Sequence, residues 1–194
     1  MKTTEFIKNL PADLRSVLET GDNTLFFNEC SFDLMSTQAN RAWLFEIEGY
    51  DLVFKSFTPK GKRDYDIDAL KDLQGIAYFP VLYAYEEQEF LIMQKVPGQD
   101  IQILMKNGML SEEELEKIRE QYKKAMGLAI ERKRYDWDMK LEHLFWDKET
   151  QRLMLIDFGE YDVLRGSDVD IELERLLEHF DEEINIAKEF LSIW

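Results

Sequence analysis

The segment Leu153–Asp162, with the sequence LMLIDFGEYD, decides the fold prediction for this chain. Four apolar residues lead into Asp157, and Phe158 and Gly159 follow it. This pattern is typical of a buried strand that ends in a turn. Such a strand either delivers a carboxylate to a metal ion or only reaches a loop, and the flanking sequence distinguishes the two.

The composition predicts a compact, soluble protein. Its 194 residues are 45% hydrophobic, which suffices for one compact domain or for two small lobes. The net charge of -16 disfavours binding to nucleic acid or to an anionic membrane through charge alone. No stretch is apolar for long enough to span a membrane, and the N-terminus lacks the apolar core of a signal peptide. A single cysteine, Cys30, excludes an internal disulfide. We therefore expect a cytoplasmic location, with a secreted effector delivered to a host cytosol as the alternative.

The first half of the chain is predicted to be mostly β-structure. Apolar spacing on both sides of Pro11 indicates short helices. Aromatic and β-branched runs between residues 25 and 57 predict three strands. Helical spacing follows over residues 64–76, and two more strands are predicted within residues 79–96, joined by a turn at 86–88.

The second half is predicted to be mostly helical. The segment Val96–Ile101 contains Pro and Gly, which interrupt regular structure and indicate a hinge. Ser111 followed by Glu114 is a capping box and predicts the start of a helix. A short hairpin is then predicted, with strands that end near Trp146 and at Ile156, before a helical C-terminal segment that begins at Asp168. The predicted organisation is a β-rich N-terminal lobe with one helix, a hinge and a reduced helical C-terminal lobe, over residues 1–93, 94–100 and 101–194.

Three charged residues supply the groups that phosphoryl transfer requires. Asp157 ends the apolar run, and Asp138 lies in the loop before the hairpin. Lys55 lies inside an apolar strand, where a charge is costly unless the amine reaches solvent or meets an anion. Phosphoryl transfer needs a carboxylate for magnesium, a second carboxylate for the attacking hydroxyl and a cation for the nucleotide phosphates. Each residue taken alone also fits a purely structural role.

Taken in order, these segments resemble the protein kinase superfamily. The resemblance extends from about residue 25 to residue 177, and the ordered set is far more specific than any one piece. The implied fold is α+β, a two-lobed protein kinase-like fold with a small antiparallel β-sheet lobe and a reduced helical lobe. The matching segments are VFKSF, LIMQKVPGQDI, DWDMKLEHLFW and LIDFG, at residues 53–57, 91–101, 136–146 and 155–159.

The resemblance implies a role for each charged residue. Asp138 would be the catalytic aspartate, and Lys140 would face the transferred phosphoryl group. Lys55 would hold nucleotide phosphates, and Asp157 would hold magnesium. The implied carboxylate partner of Lys55 is Asp66, with Asp64 or Asp68 as alternatives. The implied contacts to adenine and ribose come from Val53, Met93, Gln94, Val96, Asp100 and Phe145.

The sequence departs from the family at several of these positions. His143 stands where the family has an asparagine that binds a second metal ion, and imidazole is a poor ligand for magnesium. His143 is therefore either a metal ligand or a structural histidine. The glycine-rich phosphate loop is not recognisable, and its nearest equivalent is the segment NECSFDLM at residues 28–35. Asp136 and Trp137 replace the histidine and arginine of the family's catalytic loop, and Trp137 and Trp146 are either core residues or lining of the substrate cleft. The end of the chain is similar to the RIO kinases and the kinase of the KEOPS complex.

The resemblance implies an enzyme that depends on ATP and Mg²⁺, with Mn²⁺ as a possible substitute. It would transfer the γ-phosphoryl group to a hydroxyl, most simply a Ser or Thr on a protein. A pseudokinase that acts as a nucleotide-binding or protein-interaction module is the first alternative, and a small-molecule kinase is the second. Residues 160–194 are strongly acidic, which is typical either of a solvated helical surface or of a docking face for a basic protein partner. Neither nucleic acid nor a membrane is an expected partner.

Overall fold

The computed structural model describes residues 1–38, 41–63, 65–165 and 169–192. The chain forms two compact units. The first unit contains Met1–Gln74 and Pro80–Lys95, and the second contains Gly75–Phe79 and Val96–Trp194. Two sequence predictions fall on Asp64 and Asp168, which lie outside the described residues.

A six-stranded antiparallel sheet forms the first unit, in the order β1-β5-β6-β4-β3-β2. Successive side chains of a strand point to opposite faces, so Lys55 and Phe54 of β4 lie on opposite faces of this sheet. The strands are β1 Lys2–Thr3, β2 Phe32–Gln38, β3 Ala42–Ile47, β4 Leu52–Phe57, β5 Leu82–Glu86 and β6 Phe90–Gln94.

Helices and aromatic side chains complete the first unit. The ring of Phe26 is fully buried, 5.4 Å from the ring of Phe32 and 6.0 Å from that of Phe54. These residues belong to one hydrophobic cluster, which covers the Phe54 face of the sheet. The helices are α1 Ala12–Glu19, α2 Asn23–Glu29 and α3 Asp66–Asp72, with 3₁₀ turns at Glu5–Asn9 and Gly61–Arg63.

The prediction of a strand from residue 25 is wrong, because residues 25–29 belong to α2. Asp22 caps this helix by accepting hydrogen bonds from the N–H groups of Thr24 and Leu25, and this cap together with the burial of Phe26 outweighs the β-propensity of the two phenylalanines. The segment 28–35 is consequently not a phosphate loop. It contains the end of α2 and the first half of β2.

The second unit combines three helices with two small sheets. The capping box of Ser111 and Glu114 is confirmed at the start of α5. Among the described residues, no helix is both long and apolar enough to cross a membrane. The helices are α4 Ile101–Lys106, α5 Glu112–Glu131 and α6 Val169–Ser192, and the strands are β7 Gln99–Asp100, β8 Arg134–Asp136, β9 Leu144–Asp147, β10 Arg152–Leu155 and β11 Tyr161–Val163.

Packing between α5 and α6 forms much of the core of the second unit. The rings of Tyr122 and Phe180 stack with their centroids 5.0 Å apart. Arg119 donates two hydrogen bonds of 2.7 Å to the carboxylate of Asp181, which joins the two helices in a bidentate ion pair. Trp146 is fully buried, so of the two roles expected for it the core position is the observed one.

The predicted hairpin and hinge segment lie together in the second unit. β9 pairs with both β10 and β7 in an antiparallel sheet. Gly98, which precedes β7, has φ +87°, and a Cβ atom there would lie 2.4 Å from the carbonyl oxygen of Trp146. Only glycine fits this backbone conformation and this close approach. The hairpin that carries Asp157 at its end is therefore fixed against residues 98–100.

Candidate active site

Lys55 and Asp66 form a buried ion pair in the first unit. Lys55 is 3% exposed and Asp66 is 1% exposed, and Lys55 Nζ lies 2.7 Å from Asp66 Oδ1. Asp66 is the first residue of α3, where the helix dipole favours a carboxylate. Asp68 is exposed instead and pairs with Lys71 at 3.3 Å. Lys55 therefore does not snorkel to solvent, and Asp66 rather than Asp68 is its observed partner.

The segment after β8 presents Asp138 and Lys140 next to each other. Lys140 Nζ lies 2.7 Å from Asp138 Oδ2, and both side chains are nearly half exposed. The hydrogen bond from Lys140 to Asp138 raises the pKa of the lysine above its usual range. The backbone N–H of Asp138 donates to Asp136 Oδ1 at 3.0 Å, which orients the loop. A solvent-accessible carboxylate in a fixed orientation can accept a proton from a hydroxyl that approaches it.

Asp136 is a buried carboxylate. From the sequence it was recognised only as the residue that stands where the protein kinases have a histidine. The pKa of Asp136 is raised to about 7, chiefly by burial and in smaller part by the negative charges of Asp138 and Asp157. The N–H of Asp138 and the hydroxyl of Tyr161 oppose this rise, although the tyrosine is not placed for a good hydrogen bond. The role of Asp136 in holding Asp138 was missed from the sequence, because its only signal is its position two residues before that residue.

Asp157 follows β10 in a strained backbone conformation. Its φ is +60°, which is uncommon for a residue other than glycine and is tolerated best by Asp and Asn. The N–H of Ile156 donates to the carbonyl oxygen of His143 at 2.9 Å, and the ring of Phe158 is buried against Tyr161 at 5.1 Å. Strain of this kind is retained where the surroundings enforce it, and it is concentrated at functional sites. The strand thus holds the carboxylate of Asp157 in one defined place.

His143 lies close to Asp157 and is a possible metal ligand. His143 Nε2 lies 3.6 Å from Asp157 Oδ2 and 3.9 Å from Glu142 Oε1. Within the described ranges, no group of three His, Cys, Asp or Glu side chains is arranged to hold a metal ion. Among side chains of these four types, a divalent cation at Asp157 would have this carboxylate and the imidazole of His143 as candidate ligands. The carboxylate suits Mg²⁺, and the imidazole does not.

The residues predicted to contact adenine and ribose are divided between the two units. Val53, Met93 and Gln94 belong to the first unit, and Val96, Asp100 and Phe145 belong to the second. The N–H of Gln94 donates to the carbonyl oxygen of Val81 at 2.8 Å. The backbone group of Gln94 that is left for a purine is therefore its carbonyl oxygen, which would accept a hydrogen bond from the base.

Asp100 has a structural role in addition to the predicted one. Asp100 Oδ1 accepts the N–H of Ile103 at 2.8 Å and caps α4. An aspartate directly before an apolar helix is a recognisable cap signal. The register places Asp100 opposite Phe145 of β9, so these two predicted residues are neighbours.

The fold is that of the protein kinases, as its similarity to solved structures shows. The structure of the Cydia pomonella granulovirus kinase PK-1 matches with a TM-score of 0.58 and 19% identity, over 79% of this chain and 58% of that one. Rad53 1–466, solved in complex with AMP-PNP, matches with a TM-score of 0.57 and 16% identity, over 77% of this chain and 43% of that one. This chain therefore spans less than two thirds of either. No family model matches the sequence, and no curated protein has a similar sequence. The predicted fold class and the resemblance to protein kinases are confirmed.

Proposed function

We propose that this protein is a phosphotransferase that moves the γ-phosphoryl group of ATP to a hydroxyl on a protein, with Ser and Thr as the acceptors. The observation that carries the proposal is the buried ion pair of Lys55 and Asp66. A buried pair contributes little net stability, because desolvation offsets most of the attraction between the charges. Such a pair is better explained by a role in binding, in which the Asp66 carboxylate holds the Lys55 ammonium group in place for an anion, here the phosphates of a nucleotide.

The remaining roles belong to residues of the second unit. Asp138 orients the acceptor hydroxyl and accepts its proton, and Lys140 stabilises the transferred group. Asp157 holds a divalent cation, which neutralises charge on the phosphates when it is bound. The fold supports this proposal, and so does the AMP-PNP bound to the similar Rad53 structure.

The proposed setting follows from charge and cysteine chemistry. The net charge of -16 favours a basic protein as substrate or partner, because opposite charges speed association. The thiol of Cys30 is free, which agrees with a reducing cytoplasm.

Label transfer from γ-labelled ATP tests this function. Asp138→Asn should reduce transfer about 10²- to 10⁴-fold, the usual contribution of general acid-base catalysis, while nucleotide binding is retained. Asp157→Ala should abolish transfer. The matched control is Asp51→Asn, which removes the same charge from an exposed position and should leave transfer unchanged. Full activity of Asp138→Asn would refute the assignment of the catalytic residue.

His143 favours a second candidate function, that of a pseudokinase that binds nucleotide without turnover. The imidazole stands at a position where the family has an oxygen ligand for metal. In that case ATP should raise the melting temperature of the wild-type protein, while no label is transferred to any protein in a lysate with either Mg²⁺ or Mn²⁺.

A further inference from the structure

Trp137 is a large aromatic side chain at the surface of the second unit, directly before Asp138 in the chain. Its side chain is 62% exposed. Of the two roles expected for it from the sequence, the core position is therefore excluded, and contact with a substrate remains. The protein kinases have an arginine at the matching position, so a site built on this ring is a feature of this chain.

The ring of Trp137 is held in place by its neighbours. Its centroid lies 4.5 Å from that of the Tyr135 ring, with an angle of 51° between the two planes. Tyr135 is itself only 7% exposed and provides a fixed support. The backbone N–H of Trp137 donates to the carbonyl oxygen of Glu160 at 3.4 Å, which continues the pairing of β8 with β11. A ligand of this ring therefore meets a surface that is already ordered, and less entropy is lost on binding.

The strand register places the side chain of Asp162 on the same face as this ring. Asp162 lies opposite Tyr135 in the antiparallel pairing of β8 with β11. Residues opposite each other, and residues two positions apart along a strand, share a face. Tyr161, the residue before Asp162, points to the other face and is buried. Trp137, Tyr135 and Asp162 therefore form one surface of this small sheet.

The charge near this surface favours a cation over an anion. The segment Asp157–Val163 contains three acids and no Lys or Arg. Asp162 Oδ1 accepts the N–H of Val163 at 2.5 Å, and a carboxylate can accept further hydrogen bonds from a ligand. Two cations of neighbouring segments, Lys140 and Arg175, each pair with a carboxylate close to them in the sequence.

An aromatic ring beside a carboxylate has the chemistry that binds a guanidinium group. The cation is attracted to the face of the ring, and its N–H groups donate to the carboxylate. Arginine suits such a surface better than lysine, because guanidinium is planar and less strongly hydrated than ammonium. We propose that Trp137 and Asp162 bind an arginine side chain of the acceptor protein. This inference rests on the proposed function, in which the neighbouring Asp138 receives the acceptor hydroxyl.

The link between Trp137 and Asp138 limits where this arginine lies in the acceptor. Adjacent Cα atoms are about 3.8 Å apart, and an extended peptide advances about 3.3 Å per residue. With the lengths of the tryptophan and arginine side chains added, the arginine is expected within roughly four residues of the acceptor Ser or Thr.

Phosphorylation of short peptides tests the preference. Each peptide has a central Ser and a single arginine, which is moved through the flanking positions and then replaced by Lys or Gln. At the best position, kcat/KM for the arginine peptide should exceed that for the Gln peptide by about three- to thirtyfold, from one cation–π contact and one exposed ion pair. The Lys peptide should lie between them. The difference should appear in KM, because the contact is equally strong before and during transfer.

Substitutions in the protein assign the preference to its residues. Trp137→Leu and Asp162→Asn should each lower the ratio of arginine to Gln peptides by roughly two- to fivefold. Trp137→Phe should restore part of it, because phenylalanine also binds cations, although more weakly than tryptophan. The matched control is Trp43→Leu, which removes a tryptophan that is 49% exposed in the first unit and should retain the full ratio.

Binding without nucleotide separates the inference from the proposed function. In nuclear magnetic resonance spectra, the indole N–H signal of Trp137, assigned as the one lost in Trp137→Phe, should shift when the arginine peptide is added and not when the Gln peptide is added. The signal of Trp43 should stay in place with both peptides.

The combined outcomes separate the two hypotheses. Transfer to these peptides without a preference for arginine, or with a preference that Trp137→Leu retains, would overturn the inference and leave the phosphotransferase intact. A shift of the Trp137 signal specific to arginine, without transfer to any peptide, would support the recognition surface and count against the enzyme. Absence of both the shift and the transfer would count against both. If Trp137→Leu does not fold, the comparison of peptides on the wild type and on Trp137→Phe still decides the question.

Discussion

Removal of the Asp66 carboxylate is expected to destabilise the first unit strongly. The ion pair spans 2.7 Å between side chains that are almost fully buried. At an effective dielectric constant near 20, two unit charges at this distance attract each other by roughly 6 kcal/mol. Desolvation of each ion offsets several kcal/mol of that attraction, so the intact pair contributes little. Breaking the pair leaves the ammonium group of Lys55 buried without this carboxylate, and we expect Asp66→Leu to lower the free energy of unfolding by about 3–5 kcal/mol.

Amide hydrogen exchange of peptides from β4 measures this loss locally. The double variant Lys55→Met with Asp66→Leu should recover most of the protection, because neither charge is then buried. Asp68→Leu removes a carboxylate from the exposed side of the same helix, and we expect it to change stability by no more than about 0.5 kcal/mol. Equal losses in Asp66→Leu and Asp68→Leu would refute the reasoning, as would a double variant less stable than Asp66→Leu.

Three further substitutions test local features of the second unit. Ser111→Ala removes the hydroxyl that caps α5 and should lower the free energy of unfolding in urea by about 0.5–2 kcal/mol. The hydrogen bond from the Ser111 N–H lowers the pKa of Glu114 to about 2. The stability that comes from the ionised Glu114 should therefore be lost as pH falls from about 4.5 towards 2. Gly98→Ala should lower the melting temperature, because its Cβ would meet the carbonyl oxygen of Trp146 and its φ is positive, and an unchanged melting temperature would contradict this. The buried hydroxyl of Tyr122 has no hydrogen-bond partner among the described residues. Tyr122→Phe should therefore leave the free energy of unfolding in urea unchanged or raise it by up to about 1–3 kcal/mol. A decrease of the free energy of unfolding by more than about 1 kcal/mol would count against the packing described.

The sequence was sufficient to predict the elements whose signals are local. The capping box at Ser111 and Glu114 depends on residues three positions apart, and the strand before Asp157 depends on a short apolar run with a glycine after it. The ordered spacing of such segments predicted the fold class. Each of these elements is present in the folded protein because residues nearby in the sequence provide the hydrogen bonds or the burial that it requires.

The features that were missed or mistaken depend on contacts between distant residues. The helix α2 contains Phe26 and Phe27, which favour a strand by propensity. Its formation follows from the cap at Asp22 and from burial of Phe26 against rings of the sheet, and no local pattern specifies that burial. Strand β1 likewise exists only because Lys2 and Thr3 pair with the edge strand β5. Tertiary packing decided both elements.

The candidate site was predictable as a list of residues but not as a set of partners. The spacing left three acids as possible partners of Lys55, and the structure pairs it with Asp66 because α3 buries that residue and exposes Asp68. The distance from His143 to Asp157 and the burial of Asp136 also needed the folded backbone. The burial of Asp136 is the quantity from which its pH dependence follows.

Asp136 should make the free energy of unfolding of the second unit fall as pH rises towards neutrality. Its pKa is about 7 in the folded protein and 3.8 in an ordinary aspartate. Between these values the folded state binds more protons than the unfolded state, so stability decreases with rising pH, and the contribution of the protonated group is lost above about pH 7. A difference of about 3 pKa units corresponds to at most roughly 4 kcal/mol.

Asp136→Asn keeps an oxygen that can accept the N–H of Asp138 but cannot ionise. The free energy of unfolding of this variant, relative to the wild type, should therefore increase from about pH 4 to pH 7 and then remain constant. Hydrogen exchange of β8 peptides and urea unfolding across this range measure that difference, with the exposed Glu178→Gln as a control whose difference should stay flat. Parallel curves for Asp136→Asn and the wild type would mean that Asp136 has its ordinary pKa in the folded protein. In that case the loop would be held by the ionised carboxylate rather than by the protonated one.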